Sequence, residues 1–202
     1  MKTTKKALLL ALCAVLLVVS TVFATLAYLT STTEVVENTF TIGKVTITLD
    51  EAEVTEYGVK DGDTRVTENE YKLIPGHKYI KDPTIHVVKG SEECYLFVKI
   101  TDDIVAIQDA DTVLAQMAAN GWKPLNGATG VYYYEKGDVK TINALNANEN
   151  IDVPVFETFK IKGDANVASY NGKTITVQAY AIQADGFANA AAAWTAAPAN
   201  WQ

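Results

Sequence analysis

Hydrophobic and polar positions separate a continuous apolar leader from a body of short, alternating runs. Residues 7–19 are apolar without interruption, preceded by Lys2, Lys5 and Lys6 and followed by Ser20 and Thr21. Thr25 and Ala27 place small residues three and one positions ahead of Tyr28. A signal peptidase reads that arrangement, which predicts a secretory signal peptide over residues 1–27, cut between Ala27 and Tyr28. Extended to Leu29, the apolar stretch is just long enough to span a bilayer, so an uncleaved anchor is the alternative. Contact with a membrane is expected only through this leader, before cleavage. Cys13 lies inside the run behind Leu12, where a lipidated cysteine needs a small neighbour, and reads as one more apolar side chain.

In the body the period becomes two. Phe40, Ile42, Val45, Ile47 and Leu49 alternate with polar residues, with a one-residue shift at Gly43 where a bulge restores register. This is the expected first core strand, behind a flexible segment over 28–38. Residues 50–72 are rich in charge and Thr and read as a long exposed loop holding at most one weak edge strand. A strand follows over 79–89, in which Pro83 marks either an edge or a break. Residues 94–101 form a near-continuous apolar strand of the kind that fills a sandwich core.

Val113, Leu114, Met117 and Ala118 then recur at helical spacing, with Asp111 as N-cap and Gly121 as the stop. Strand signals return over 131–135, 139–142, 153–161 and 174–181, separated by turns that include Asn171-Gly172. The Ala-rich stretch over 188–202 is a short helix on the end of the sheets or an untidy tail. Many short strands with one or two short helices predict a mainly β protein, an antiparallel β-sandwich over 39–187.

Charge and the rarer residues narrow the function classes. The leader takes three of the 17 bases and none of the 24 acids, so the body is more acidic than the net charge of −7. An acidic body lacks the basic face that nucleic-acid binding requires. After cleavage Cys94 is the one cysteine left, so no intramolecular disulfide forms; burial in its apolar strand is expected, and intermolecular pairing is the alternative. A zinc peptidase needs closely placed His ligands and a general-base Glu. The two histidines, His77 and His86, straddle Pro83 with no Glu between them, and strand geometry sends them to opposite faces. No Gly-x-Ser-x-Gly elbow is present for a hydrolase. Metal ligands and cofactors are therefore not expected, with calcium on Asp61 and Asp63, Asp102 and Asp103, or Asp109 and Asp111 as the exception to check. In Tyr132-Tyr133-Tyr134, Tyr132 and Tyr134 share one strand face. That pair is either a platform for carbohydrate or protein or part of a packed sheet face.

Three stretches together resemble the TasA/camelysin family of Gram-positive bacteria, exported proteins whose leaders are cut by the dedicated signal peptidase SipW. The first is Thr25-Leu26-Ala27-Tyr28-Leu29-Thr30 with Asn38-x-Phe40-x-x-Gly43-x-Val45-x-Ile47-x-Leu49. The second is Leu73-x-Pro75-Gly76, Lys81, Gly90-Ser91 and the strand over 95–100. The third is Ile175-Thr176-Val177-Gln178-Ala179-Tyr180-Ala181-Ile182-Gln183. The Ala184-Asp185-Gly186-Phe187 tail is similar to that of clostridial relatives.

The resemblance implies a jelly-roll-like sandwich and, for the TasA branch, a subunit of extracellular matrix fibres. In that branch the mature N-terminal segment inserts as a strand into the next subunit, so the expected partners are further copies of the chain as a homopolymer, with or without an accessory matrix subunit. Here Leu29, Val35 and Val36 are the residues such a segment has to bury; the alternative is a plain linker. The expected function is thus a secreted, non-enzymatic structural subunit. A monomeric surface binding module using Tyr132 and Tyr134 is the rival, and a camelysin-type metallopeptidase the remote third. No C-terminal sorting motif or apolar tail is present, so wall anchoring through that end is not expected.

Overall fold

The computed structural model describes residues 2–28, 43–110, 113–199 and 201. It divides into two compact units, Met1–Thr41 and Ile42–Gln202. In the first, helix α1 covers Lys2–Tyr28, with side chains described for residues 3–17, all of them exposed. Among the described residues no helix is long and apolar enough to cross a membrane.

The second unit is an antiparallel β-sandwich. Its strands are β1 (Ile47–Val54), β2 (Lys60–Val66), β3 (Lys78–Ile80), β4 (Thr84–Val87), β5 (Cys94–Asp102), β6 (Trp122–Pro124), β7 (Val131–Tyr134), β8 (Ile151–Pro154), β9 (Thr158–Lys160) and β10 (Ile175–Gln183), with helices α2 (Val113–Asn120) and α3 (Ala190–Trp194). One sheet runs β2-β1-β4-β8, the other β10-β5-β7-β6, and β3 pairs with β9 in a small third sheet.

The apolar run of β5 is explained by burial on both faces. Cys94, Leu96, Val98 and Ile100 enter the core between the sheets, where they meet Ile85 and Val87 of β4 and Val153 of β8. Tyr95 and Phe97 point to the other side and are covered by α3. Removing a side chain of this size from water stabilises the fold by about 1.5–3 kcal/mol. The Ala-rich stretch is a helix because Asn189 caps it, its Oδ1 accepting from the Ala192 N–H at 2.9 Å. Its small side chains let it lie close, with Ala193 fully buried and Trp194 beside Phe97 at 5.1 Å between ring centroids.

Several elements differ from the sequence expectation. In residues 50–72 the edge strand the sequence allowed is present as β2, but the stretch does not begin as a loop, because β1 continues to Val54 and pairs with β2. Glu51 and Ala52 are buried there, and a buried charge does not register in a hydrophobic pattern. The turn between β1 and β2 uses Gly58 at φ +69°, where a Cβ would lie 2.7 Å from the Tyr79 side chain. Pro83 breaks the run over 79–89 into β3 and β4, which join different sheets. Residues 139–142 form only isolated bridges, and the run over 153–161 divides into β8 and β9. Trp122 belongs to a strand, β6, and its indole N–H donates to the Pro154 carbonyl at 2.9 Å. Asn171-Gly172 does make a tight turn, but it closes a 3₁₀ turn ahead of β10 and links no hairpin. Gln108, fully inside, stands at the entry to α2 and accepts from the Val113 N–H; the expected cap Asp111 lies outside the described residues.

Candidate functional site

The longest strand at a sheet edge is β10, with nine residues. It pairs with β5 along its whole length, Ile175 opposite Asp102 through Gln183 opposite Cys94. The Asp103 N–H donates to the Thr174 carbonyl at 3.0 Å, and the Ala184 N–H to the Glu93 carbonyl at 2.7 Å. Those two bonds set the phase of the ladder. Even-numbered residues of β10 bond to β5, and Ile175, Val177, Ala179, Ala181 and Gln183 turn their N–H and C=O groups to the opposite edge. Among the described residues no strand pairs with that edge.

Beside the start of β10 lies a groove of about 1070 Å³, walled by β1, by residues 67–73 and by residues 167–174. Leu49, Leu73, Ile104, Phe159, Ile175 and Val177 supply its apolar surface. The side chains of Ile175, Val177, Ala179 and Ala181 pack toward the core between the sheets. A strand laid on this edge would find main-chain partners on one side and apolar surface beneath it.

The groove's polar wall is tied together. Lys81 Nζ reaches Glu51 at 2.6 Å with both side chains nearly buried, and the Asn69 amide donates to the same carboxylate at 2.9 Å. The Tyr71 hydroxyl donates to the Ile80 carbonyl at 3.1 Å. Burial, reinforced by the charges of Glu51 and Asp82, pushes its phenol well above the ordinary value.

On the outward face of the first sheet, charged side chains from all four strands form a row. Arg65 of β2 pairs with Asp50 of β1 and reaches Asp82 at 3.3 Å. His86 Nε2 lies 2.9 Å from Asp50, and His86 Nδ1 lies 2.6 Å from Asp152 of β8. Burial pulls the His86 pKa down, but the hydrogen bonds and charges of Asp50 and Asp152 outweigh it and hold the imidazole above its ordinary value. Burial pushes the Asp50 carboxyl up, and Arg65 and His86 together bring it below the usual range. Reasoning from sequence missed this row. The signal was there as one charged residue at an outward position of each strand, but strand order is needed to join them.

The residues singled out by sequence fall as follows. Leu29, Val35, Val36, Phe40 and Ile42 lie outside the described residues, as do the side chains of Ala27 and Tyr28 at the end of α1. Val45, Ile47 and Leu49 pack against the core between the sheets. Tyr132 and Tyr134 are half-buried against that same core, Tyr134 edge-on to Trp122 at 5.4 Å, while Tyr133 packs on the α3 side. His77 is apart from His86, its Nε2 at 2.9 Å from the Tyr57 carbonyl.

Of the acidic positions, Asp63 pairs with Lys60, Asp109 with Lys160, Asp102 with Gln108, and Asp103 with Thr174; Asp111 lies outside the described residues. Among the described residues no cluster of His, Cys, Asp and Glu has the arrangement of a metal site. Cys94 is fully buried, and burial with the nearby Glu93 charge pushes its thiol up to about 12. No family model matches the chain, and no curated protein or solved structure matches it.

Proposed function

We propose that this protein is a secreted, non-enzymatic structural subunit that assembles outside the cell by accepting an extended segment of a second copy along the free edge of β10. One observation carries the reading: a nine-residue edge strand with outward main-chain groups, whose first residues line a groove of about 1070 Å³ with mixed polar and apolar walls. Among the described residues no strand pairs with this edge, and a long unpaired edge is a liability that folded proteins ordinarily blunt with charge, proline or a covering element. β10 carries neither a charged residue nor a proline over its length. The donor is the segment over 28–38, whose Leu29, Val35 and Val36 supply the apolar side chains. Head-to-tail donation does not close on itself and so gives a filament. The motifs resembling the TasA/camelysin family, and the leader with its Ala27-Tyr28 junction, support export and assembly. The separation of His77 from His86 supports a non-enzymatic role.

The test is binding of a synthetic peptide of residues 28–38 to a chain that begins at Asn38, followed by fluorescence anisotropy. Saturable binding that is abolished by Ala179→Pro is expected. Proline there removes an N–H that β5 does not use, so the sandwich keeps its ladder while the edge loses its donor. Binding that is absent, or equally strong to the proline variant, overturns the reading.

A further inference from the structure

We propose that His86 is a proton-operated staple across the first sheet, tying β1 to β8 through β4 when the imidazole is protonated and releasing one of them when it is not. The proposal is independent of strand donation.

The geometry carries it. His86 is directly opposite Thr48 of β1 and Asp152 of β8 in the ladder, and its ring is bonded on both sides. Nε2 lies 2.9 Å from Asp50 and Nδ1 2.6 Å from Asp152, with the ring itself largely covered. A neutral imidazole has one N–H and one lone pair, so it donates to one carboxylate and turns a lone pair on the other. Only the imidazolium donates to both. The charged groups facing it are Asp50 from β1 and Asp152 from β8; Arg65 of β2 acts through Asp50, and Asp82 through Arg65. With His86 charged, the four strands carry Arg65, Asp50, His86 and Asp152 in alternating sign. With His86 neutral, the row has two carboxylates flanking an uncharged ring, and Asp50 keeps Arg65 while Asp152 has no cation in the row.

The sign of the pH effect follows. His86 is held above its ordinary pKa in the fold, so the stabilisation is fully present below about pH 6.5 and is lost as pH rises through the higher folded value. The contribution of His86 is therefore greatest in mildly acidic surroundings. Asp152 is well exposed, and solvent screening limits the effect to a modest one.

The test is thermal unfolding of the full chain, in neutral detergent, from about pH 5.5 to about pH 9, for the wild type and His86→Gln. Glutamine keeps a single hydrogen bond and does not titrate. The wild type should lose several degrees of Tm across the window, and the variant should show a distinctly smaller loss. An identical pH slope in both overturns the proposal. Should the variant fail to fold, an NMR titration of the wild-type imidazole, assigned with His77→Gln, decides the matter. Titration of His86 above the free-histidine value supports the staple, and titration at or below it sinks the idea.

Discussion

Glu51 is the residue at which hydrophobic patterning and structure part most clearly. Its charge marks it as surface, yet its side chain is 5% exposed and salt-bridged to Lys81, itself 12% exposed. An ion pair taken out of water is tolerated only when the remaining hydrogen-bond capacity is met, and Asn69 meets it on the other carboxylate oxygen. Removing one partner is then far worse than removing both. Lys81→Ala should lower the unfolding free energy by about 3 kcal/mol, and the double replacement Glu51→Gln with Lys81→Met by much less, as read in urea titrations. Equal losses in the two variants would show that the pair is not desolvated.

Cysteine chemistry divides at the same scale. The thiolate is the reactive form, and Cys94 is both sealed in the core and pushed up to about 12, whereas Cys13 is exposed on α1. In the mature chain, which cleavage after Ala27 leaves with Cys94 alone, iodoacetamide at about pH 8 should leave that thiol unmodified until denaturant is added. Prompt native labelling of Cys94, seen by peptide mass spectrometry, would mean that the core between the sheets opens far more readily than its packing implies.

Among the elements, β5 was the most legible from sequence and β6 the least. An apolar run buried on both faces announces itself wherever it falls in the chain. Trp122, Lys123 and Pro124 give no such signal, since three residues with a proline carry no period; they become a strand because Tyr132–Tyr134 supplies a partner. Pro83 was readable as a break or an edge, and the packing of β3 and β4 into separate sheets resolves it as a break. The candidate site was legible only in part. Strand signals over 174–181 gave the strand, but which side chains face the core and its place at an edge depend on strand order, which no local pattern encodes. The row of Arg65, Asp50, His86 and Asp152 was hidden for the same reason.

β5 also yields a prediction at this scale. Phe97 is fully buried on the α3 side, against Trp194 and Tyr180. Phe97→Ala should cost about 3–5 kcal/mol, with loss of the near-ultraviolet signal from the surrounding rings. A loss below about 1 kcal/mol would show that α3 and the sheet do not form one cooperative unit.

For the whole molecule, the two sheets are not alike in how their edges are finished. β2 is a polar, charged edge, with Lys60, Asp61, Asp63 and Arg65 in seven residues, and β6 and β8 are short. Charge and brevity are both devices that discourage edge-to-edge pairing. β10 has neither, and it is the edge with a groove alongside. An acidic body with a net charge of −7 for the chain keeps copies apart by repulsion, so any assembly has to come from a specific contact. Of the four edges of the two large sheets, three are finished in this way, and β10 is the one that, among the described residues, is long, uncharged and without a paired strand.

The most direct measurement is multi-angle light scattering on three chains: one beginning at Tyr28, one at Asn38, and the Tyr28 chain carrying Ala179→Pro. Strand donation predicts large, growing particles from the first and monomers from the other two. Monomers from all three at high concentration, or particles that form regardless of the segment over 28–38 and of the proline, would contradict it.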